Sequence, residues 1–218
     1  MTVKHQVNDE ILTAYAAGEL PEAFNVVVAS HVTLCDEARV RLETAEAVGG
    51  VVLENLDGVE MPQGSFEATM QMISEQADDT IRTEPAPAAP KCDVLPAPLI
   101  DYVGGSLEQV RWRSLGMGAK QAILKTTNDA TVRLLYIPAG CEMPDHGHDG
   151  LEMTLVLQGA VLDGGERFAR GDVEIADEDL EHTPVADIGE DCICLVASDA
   201  PLKFRGLLPR IAQPFFRI

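Results

Sequence analysis

The sequence predicts two domains, a small all-α N-terminal domain followed by an all-β C-terminal domain. Three observations carry the prediction. Apolar residues recur at helical spacing through the first eighty residues. The segment TEPAPAAPKCDVLPAP then places five prolines in one short stretch. Beyond it, short apolar runs alternate with turn residues every 8–12 residues or so, the rhythm of a β-sandwich or barrel. A chain of 218 residues is long enough for each part to bury a core. The expected divisions are residues 1–80, a linker at 81–98, and 99–218.

The helical part reads in order. From Asn8 to Ala17, Ile11, Leu12 and Tyr15 share a face, Asp9 and Glu10 suit a first turn, and Gly18 ends the segment. Pro21 and Glu22 start a second helix through FNVVVASHVTLC, despite the β-branched run Val26–Val28. A third runs from Asp36 to Val48 and is expected to stop at Gly49 and Gly50. VVLENLDGVEMPQG reads as loop. A fourth helix spans Ser65 to Asp79, with Phe66, Met70 and Ile73 on one face. The prolines that follow favour an extended linker. Past Leu99 the strand candidates are QAILKT, TVRLLYIP, EMTLVLQG, VEIAD and DCICLVA.

Charge narrows the functional classes. The formal net charge is -20. Residues 1–80 hold 15 acids against 3 bases, a net of -12, and the remainder 21 against 13, a net of -8. Nucleic-acid backbones are bound through Lys and Arg, so direct contact with nucleic acid is not expected. A basic protein surface or a cation is the better partner. MTVKHQVNDE turns polar at once, so no secretory leader is expected. No apolar run has the length of a membrane span. The five cysteines form no regular framework, which points to a reducing cytoplasm.

The chemistry concentrates in GCEMPDHGHDGLEMTLVLQG, residues 140–159. On a strand, residues i and i+2 point the same way, so His146 and His148 share a face. Glu152 can reach back from the next strand, and His182 in DLEHTPV is the remaining histidine of this half. Imidazoles with a carboxylate suit Zn, Fe or Mn. Spacing alone equally allows an exposed loop.

This stretch resembles the first cupin motif, with Gly140, His146, His148, Glu152 and Gly159 at the motif positions. FARGDVEIADEDLEHTP resembles the second, with Gly171 and His182, although Ala169 stands where the usual proline would be. The resemblance implies a small β-barrel holding a divalent metal through His146, His148, Glu152 and His182, zinc first and Fe or Mn as alternatives.

Upstream, SHVTLCDEAR carries His31 and Cys35 four residues apart. It resembles the HxxxCxxC motif of zinc-binding anti-sigma domains, with Ala38 in place of the second cysteine. Gln6 stands where the upstream histidine ligand would be, with His5 beside it. Three outcomes follow: folding without zinc, a weak site from His5, His31 and Cys35 with substitute ligands, or a helical arm that no longer binds its partner.

Taken over residues 1–218, the chain resembles the ChrR-type anti-sigma factors, including ILTAYAAG, DYVGGSLEQVRWRSLG, DHGHDGLEMTLVLQG, DCICL and LLPRIAQPFFRI. The resemblance implies a cytoplasmic regulator whose N-terminal helices hold an extracytoplasmic-function sigma factor away from RNA polymerase. The cupin would take part in release under singlet-oxygen or related oxidative stress. No catalytic residue is needed for that role. The competing reading is a cupin dioxygenase acting on a small organic substrate.

Other residues have plainer readings. Cys192 and Cys194 share a strand face and read as buried packing, with oxidant sensing as the alternative. Cys141 is the more exposed thiol candidate, and Cys92 falls in the linker. Trp112 is expected to cover a barrel face or meet the helical part, and Tyr136 to face the barrel interior. PRIAQPFFRI is apolar enough to pack on the barrel or form a homo-oligomer interface.

Overall fold

A computed structural model describes residues 2–76 and 94–204. Helix α1 (Asp9–Ala16) begins where the Asn8 side chain accepts a hydrogen bond from the Ile11 backbone N–H at 2.9 Å, a side-chain cap on an otherwise orphaned donor. Helix α2 (Glu22–Leu34) buries Ala23, Phe24, Val26, Val27, Val28, Ser30 and His31. That spread is wider than one stripe, because α2 is covered from several sides. The Cys35 sulfur caps α3 (Asp36–Glu54), accepting from Ala38 N–H at 3.4 Å.

Helix α3 does not stop at Gly49 and Gly50 but continues to Glu54. A glycine costs only about 1 kcal/mol in a helix interior. Val51, Val52 and Leu53 carry the helical run on, so the glycines are absorbed. Helix α4 (Ser65–Gln76) follows, within the segment expected to be helical. Most of the proline-rich segment, Cys92 and PRIAQPFFRI lie outside the described residues. The end of that segment is regular, however. Leu95 and Pro96 are buried, and α5 (Ala97–Val103) starts behind Pro96, a residue whose fixed φ suits a helix entry.

Twelve strands follow among the described residues: β1 (Arg113–Gly116), β2 (Ala119–Ile123), β3 (Thr131–Ile137), β4 (His146–His148), β5 (Glu152–Gln158), β6 (Ala160–Asp163), β7 (Glu166–Ala169), β8 (Val173–Ala176), β9 (Glu181–His182), β10 (Val185–Ala186), β11 (Cys192–Ser198) and β12 (Leu202–Phe204). The main sheet has the order β1-β2-β3-β11-β5-β8, and two three-stranded sheets, β10-β6-β7 and β12-β4-β9, complete the all-β domain.

Register explains why β11 is buried along its whole length. Alternation sends Val132 and Leu134 of β3, Leu195 and Ala197 of β11, and Met153 and Leu155 of β5 to one face. These share a continuous core with Phe24, Val27 and Val28 of α2. The opposite face carries Arg133, Val196, Thr154 and Glu174 in one row across four strands, and Leu135, Cys194 and Val156 in the next. That face lines the barrel interior. Tyr136 therefore does not face the interior. It sits on the helix side, edge-on to Trp112 with ring centroids 6.1 Å apart, and its hydroxyl donates to Asp191.

Residues before α1 clasp the barrel directly. Val173 N–H donates to the His5 carbonyl at 2.9 Å, while the Asp172 carboxylate accepts from Lys4 and His5 N–H at 2.6 and 2.9 Å. Gly171 lies at φ 89°, and a Cβ there would stand 2.8 Å from Val3 Cγ2. Glycine is required both by the backbone and by this close approach.

Candidate metal centre

Three histidines enter the barrel from the small sheet. His146 and His148 stand on β4, flanking Gly147, and β9 brings His182 opposite His146 in register. Glu152 comes from the first position of β5 in the main sheet. All four are buried, and one donor atom from each lies within 4.8 Å of the others. The residues singled out from the motif thus converge.

Hydrogen bonding fixes which nitrogens carry the hydrogen. His146 Nδ1 lies 2.8 Å from the Pro144 carbonyl, which can only accept, so Nδ1 carries the hydrogen. His182 Nδ1 donates to the Asp163 carboxylate at 3.0 Å. In both neutral rings Nε2 is then a bare lone pair, and the two Nε2 atoms face each other at 3.1 Å. His148 Nε2 is also 3.1 Å from His182 Nε2, and His148 Nδ1 has no hydrogen-bond partner among the described residues. One proton on His182 could serve one neighbour. A divalent ion serves all three nitrogens and the carboxylate together. Bonds of about 2.0–2.1 Å to a tetrahedral ion set nitrogens about 3.3 Å apart, close to these separations. The donor set fits a metal.

Electrostatics treats the ligands differently, keeping His146 and His148 neutral and favouring a proton on His182 and Glu152 in the absence of a cation. Burial, then the neighbouring His146 and His182, pushes His148 down to about 4, so the ring is neutral and able to coordinate at pH 7. Burial also lowers His146, partly offset by its bond to Pro144. Burial alone would lower His182, but hydrogen bonds to Glu174 and Asp163 reverse the sign and raise it. Burial pushes the Glu152 carboxyl up to about 7, against pulls from His182 and Arg133, with Glu174 adding to the rise. With no cation beside it the carboxyl holds its proton up to about 7, and a bound cation would favour its charged form.

Asp163 and Glu174 are the supporting groups that motif reading missed. They lie 3.0 and 3.8 Å from His182 Nδ1, holding its tautomer and ring orientation. Nothing in the local sequence marks either one. Their partner is brought in by strand pairing between distant segments.

The N-terminal residues are arranged differently. His31 is fully buried, with Nδ1 2.9 Å from the Gly171 carbonyl and Nε2 accepting from Val7 N–H at 3.4 Å. Both ring nitrogens are thus occupied, one of them by the barrel. Cys35 caps α3. His5 stacks on Phe168 with centroids 4.4 Å apart. His5, His31 and Cys35 therefore form no common donor cluster among the described residues. Gln6 bonds Glu37 at 2.8 Å and accepts from Arg41 at 3.1 Å, while Arg41 also reaches Asp9. This polar clasp, with buried Ala38 beneath it, ties the entry segment to α3. The residues present do not fit the zinc implied by the HxxxCxxC resemblance.

Cys192 and Cys194 are buried free thiols with sulfurs 3.4 Å apart, and Cys141 is partly exposed. Among the described residues no helix is long and apolar enough to cross a membrane.

Residues 103–201 match the family described as the ChrR cupin-like domain. The anti-sigma-E factor ChrR of Cereibacter sphaeroides is 55% identical over 218 residues, covering the whole of both chains. A chain in the crystal structure of Rhodobacter sphaeroides SigE in complex with the anti-sigma ChrR superposes with a TM-score of 0.78. It is 52% identical, and the match covers 91% of this chain and 100% of that one.

Proposed function

The chain belongs to the ChrR family of anti-sigma factors, and from that premise we propose that it sequesters an extracytoplasmic-function sigma factor through its N-terminal helices. The observation that carries the reading is an uncovered apolar surface. Val48, Val51, Val52 and Leu53 of α3, then Leu56, Val59 and Met61, then Phe66, Met70, Met72 and Ile73 of α4, are all exposed. No residue of α4 with a described side chain is buried. Exposed apolar surface on this scale marks a protein-binding face. The acidic balance of residues 1–80 suits a basic partner and would speed its capture. The Rhodobacter complex supports carrying this pairing over. A partner that works on RNA polymerase would be met in the cytoplasm. We take residues 1–80 as the partner-binding arm, the proline-rich stretch ahead of the buried Leu95 as the linker, and the chain from α5 onward as the sensory domain.

In the barrel, His146, His148, Glu152 and His182 hold the divalent ion. Zinc is the favoured ion, because four protein donors can close a tetrahedral shell without requiring a redox metal. Sequestration needs no bond-making step. Release must shift an equilibrium instead. Moving a partner from almost fully bound to almost fully free requires roughly 5.5 kcal/mol of differential stabilisation. Loss or rearrangement of a bound ion supplies this to the extent that the partner-bound and partner-free states hold the ion with different affinity. The route to the arm runs along β8, where Glu174 touches His182 and Gly171–Val173 bond to His31, Lys4 and His5.

The test is co-purification with a panel of extracytoplasmic-function sigma factors, followed by transcription assays in which the chain blocks polymerase bearing the bound one. A ligand-deficient variant that still released its partner normally under singlet oxygen would remove the barrel from the mechanism. The cavity beside the metal ligands favours one second reading, a dioxygenase using Fe or Mn on a small organic substrate. Oxygen uptake by iron-loaded protein, with no sigma factor bound, would establish it.

A further inference from the structure

The barrel interior contains a cavity of about 330 Å³ that opens beside the histidine cluster. Its walls are mainly apolar, with Leu115, Met117, Leu135, Met143, Val161 and Val196 among them. This volume is at the small end of pockets that hold organic ligands. One wall group is out of character. Arg133 projects from β3 into the cavity face and is only 7% exposed. Its guanidinium donates to the Gln121 side-chain carbonyl at 3.3 Å and to the Thr131 hydroxyl at 3.1 Å, both neutral acceptors. Among the described residues no carboxylate lies within ion-pair distance of it. Burying a cation without an anionic hydrogen-bond partner is costly, and such charges are ordinarily paired.

The acidic groups nearby have other duties. Glu152 belongs to the metal ligand set, and Glu174 and Asp163 face His182. Once a metal takes up the Glu152 charge, Arg133 faces the apolar chamber with no counter-ion. A carboxylate matches the planar guanidinium fork with paired hydrogen bonds. A phosphate fits less well, because a dianion would meet a single guanidinium, with the Glu152 carboxylate acting on the same group.

We propose that this cavity binds a small amphiphilic monocarboxylate, with its carboxylate on Arg133 and its hydrocarbon body against Leu135, Val196 and Val161. The occupant would act as an effector of the barrel. That consequence rests on the regulatory reading above, whereas the binding itself does not.

The experiment is calorimetric titration of zinc-loaded full-length protein with octanoate and, separately, with octanol. Octanoate is expected to bind, with octanol at least about tenfold weaker, the loss expected when a charged hydrogen bond is missing. Arg133→Met should lower octanoate affinity by a similar factor while keeping one zinc per chain. Val196→Trp, which retains Arg133 but fills the chamber, should abolish binding and covers the case in which Arg133→Met fails to fold. Absence of octanoate binding, equal affinity for octanol, or undiminished binding by either folded variant would overturn the proposal. Sigma-factor affinity, measured in parallel, reports on the regulatory reading independently of these outcomes.

Discussion

Replacing Glu152 by Gln isolates one ionisation at the centre of the barrel. In the metal-free native state this carboxyl keeps its proton up to about 7, whereas in the unfolded chain it releases it near 4.5. Between those values the native state binds more protons than the unfolded state, so stability falls as pH rises. The gap of about 2.5 units, at 1.36 kcal/mol each, amounts to roughly 3 kcal/mol. The stabilisation is fully present below pH 4.5 and is lost as pH rises through 7. Gln keeps the size of the side chain but cannot ionise. Urea unfolding of the metal-free wild type and Glu152→Gln, followed from pH 4.5 to pH 8, measures the difference directly. The variant should gain roughly 3 kcal/mol relative to wild type across that range, because contributions from the other titrating groups cancel in the comparison. With zinc bound the order should reverse, since the metal requires the carboxylate. Parallel curves for the two metal-free proteins would refute the claim that Glu152 is a buried acid awaiting a cation.

Four further expectations concern other parts of the molecule. Asp163→Asn should weaken zinc affinity by about 10–100-fold without unfolding the barrel, read by competition with a chromophoric chelator. His31→Ala should destabilise the protein by about 1–3 kcal/mol in urea, because the buried Gly171 carbonyl loses its partner, yet metal analysis should still find one ion per chain. Zinc binding should weaken as pH falls through 7, where Glu152 takes up its proton, and a pH series of zinc titrations shows the sign. Phe24→Ala should cost about 3–5 kcal/mol and lower the unfolding midpoint of helices and barrel together, since its ring sits in their shared core.

Local pattern carried much of this structure, and long-range pairing carried the rest. The five strand segments read from alternation correspond to β2, β3, β5, β8 and β11, because each presents a regular apolar face. The short strands β1, β6, β7, β9, β10 and β12 are not legible, since two to four residues without a clear apolar run give no measurable period. Helix α3 runs past its two glycines because a propensity cost of about 1 kcal/mol each is small against propagation of a helix already nucleated over the preceding turns. The metal ligands were legible because His146, His148 and Glu152 fall close together in a recognisable motif. Arg133 and Asp163 were not, because their significance lies in what neighbouring strands place beside them. His31 shows the converse. Its spacing to Cys35 suggested a ligand, whereas its ring nitrogens meet backbone groups of Gly171 and Val7 that no local pattern reveals.

Sequestration rests on the exposed apolar face of α3 and α4 holding a sigma factor. Equilibrium binding of the zinc-loaded chain to extracytoplasmic-function sigma factors, with Phe66→Asp/Met70→Asp as the comparison, tests it most directly. Both positions are exposed, so the double variant should retain its helix content and its zinc. The wild type should bind one sigma factor tightly and the variant at least about thirtyfold more weakly, the loss expected at an interface hot spot. Wild-type protein that binds none of them, or a folded variant that binds as tightly as wild type, would contradict it.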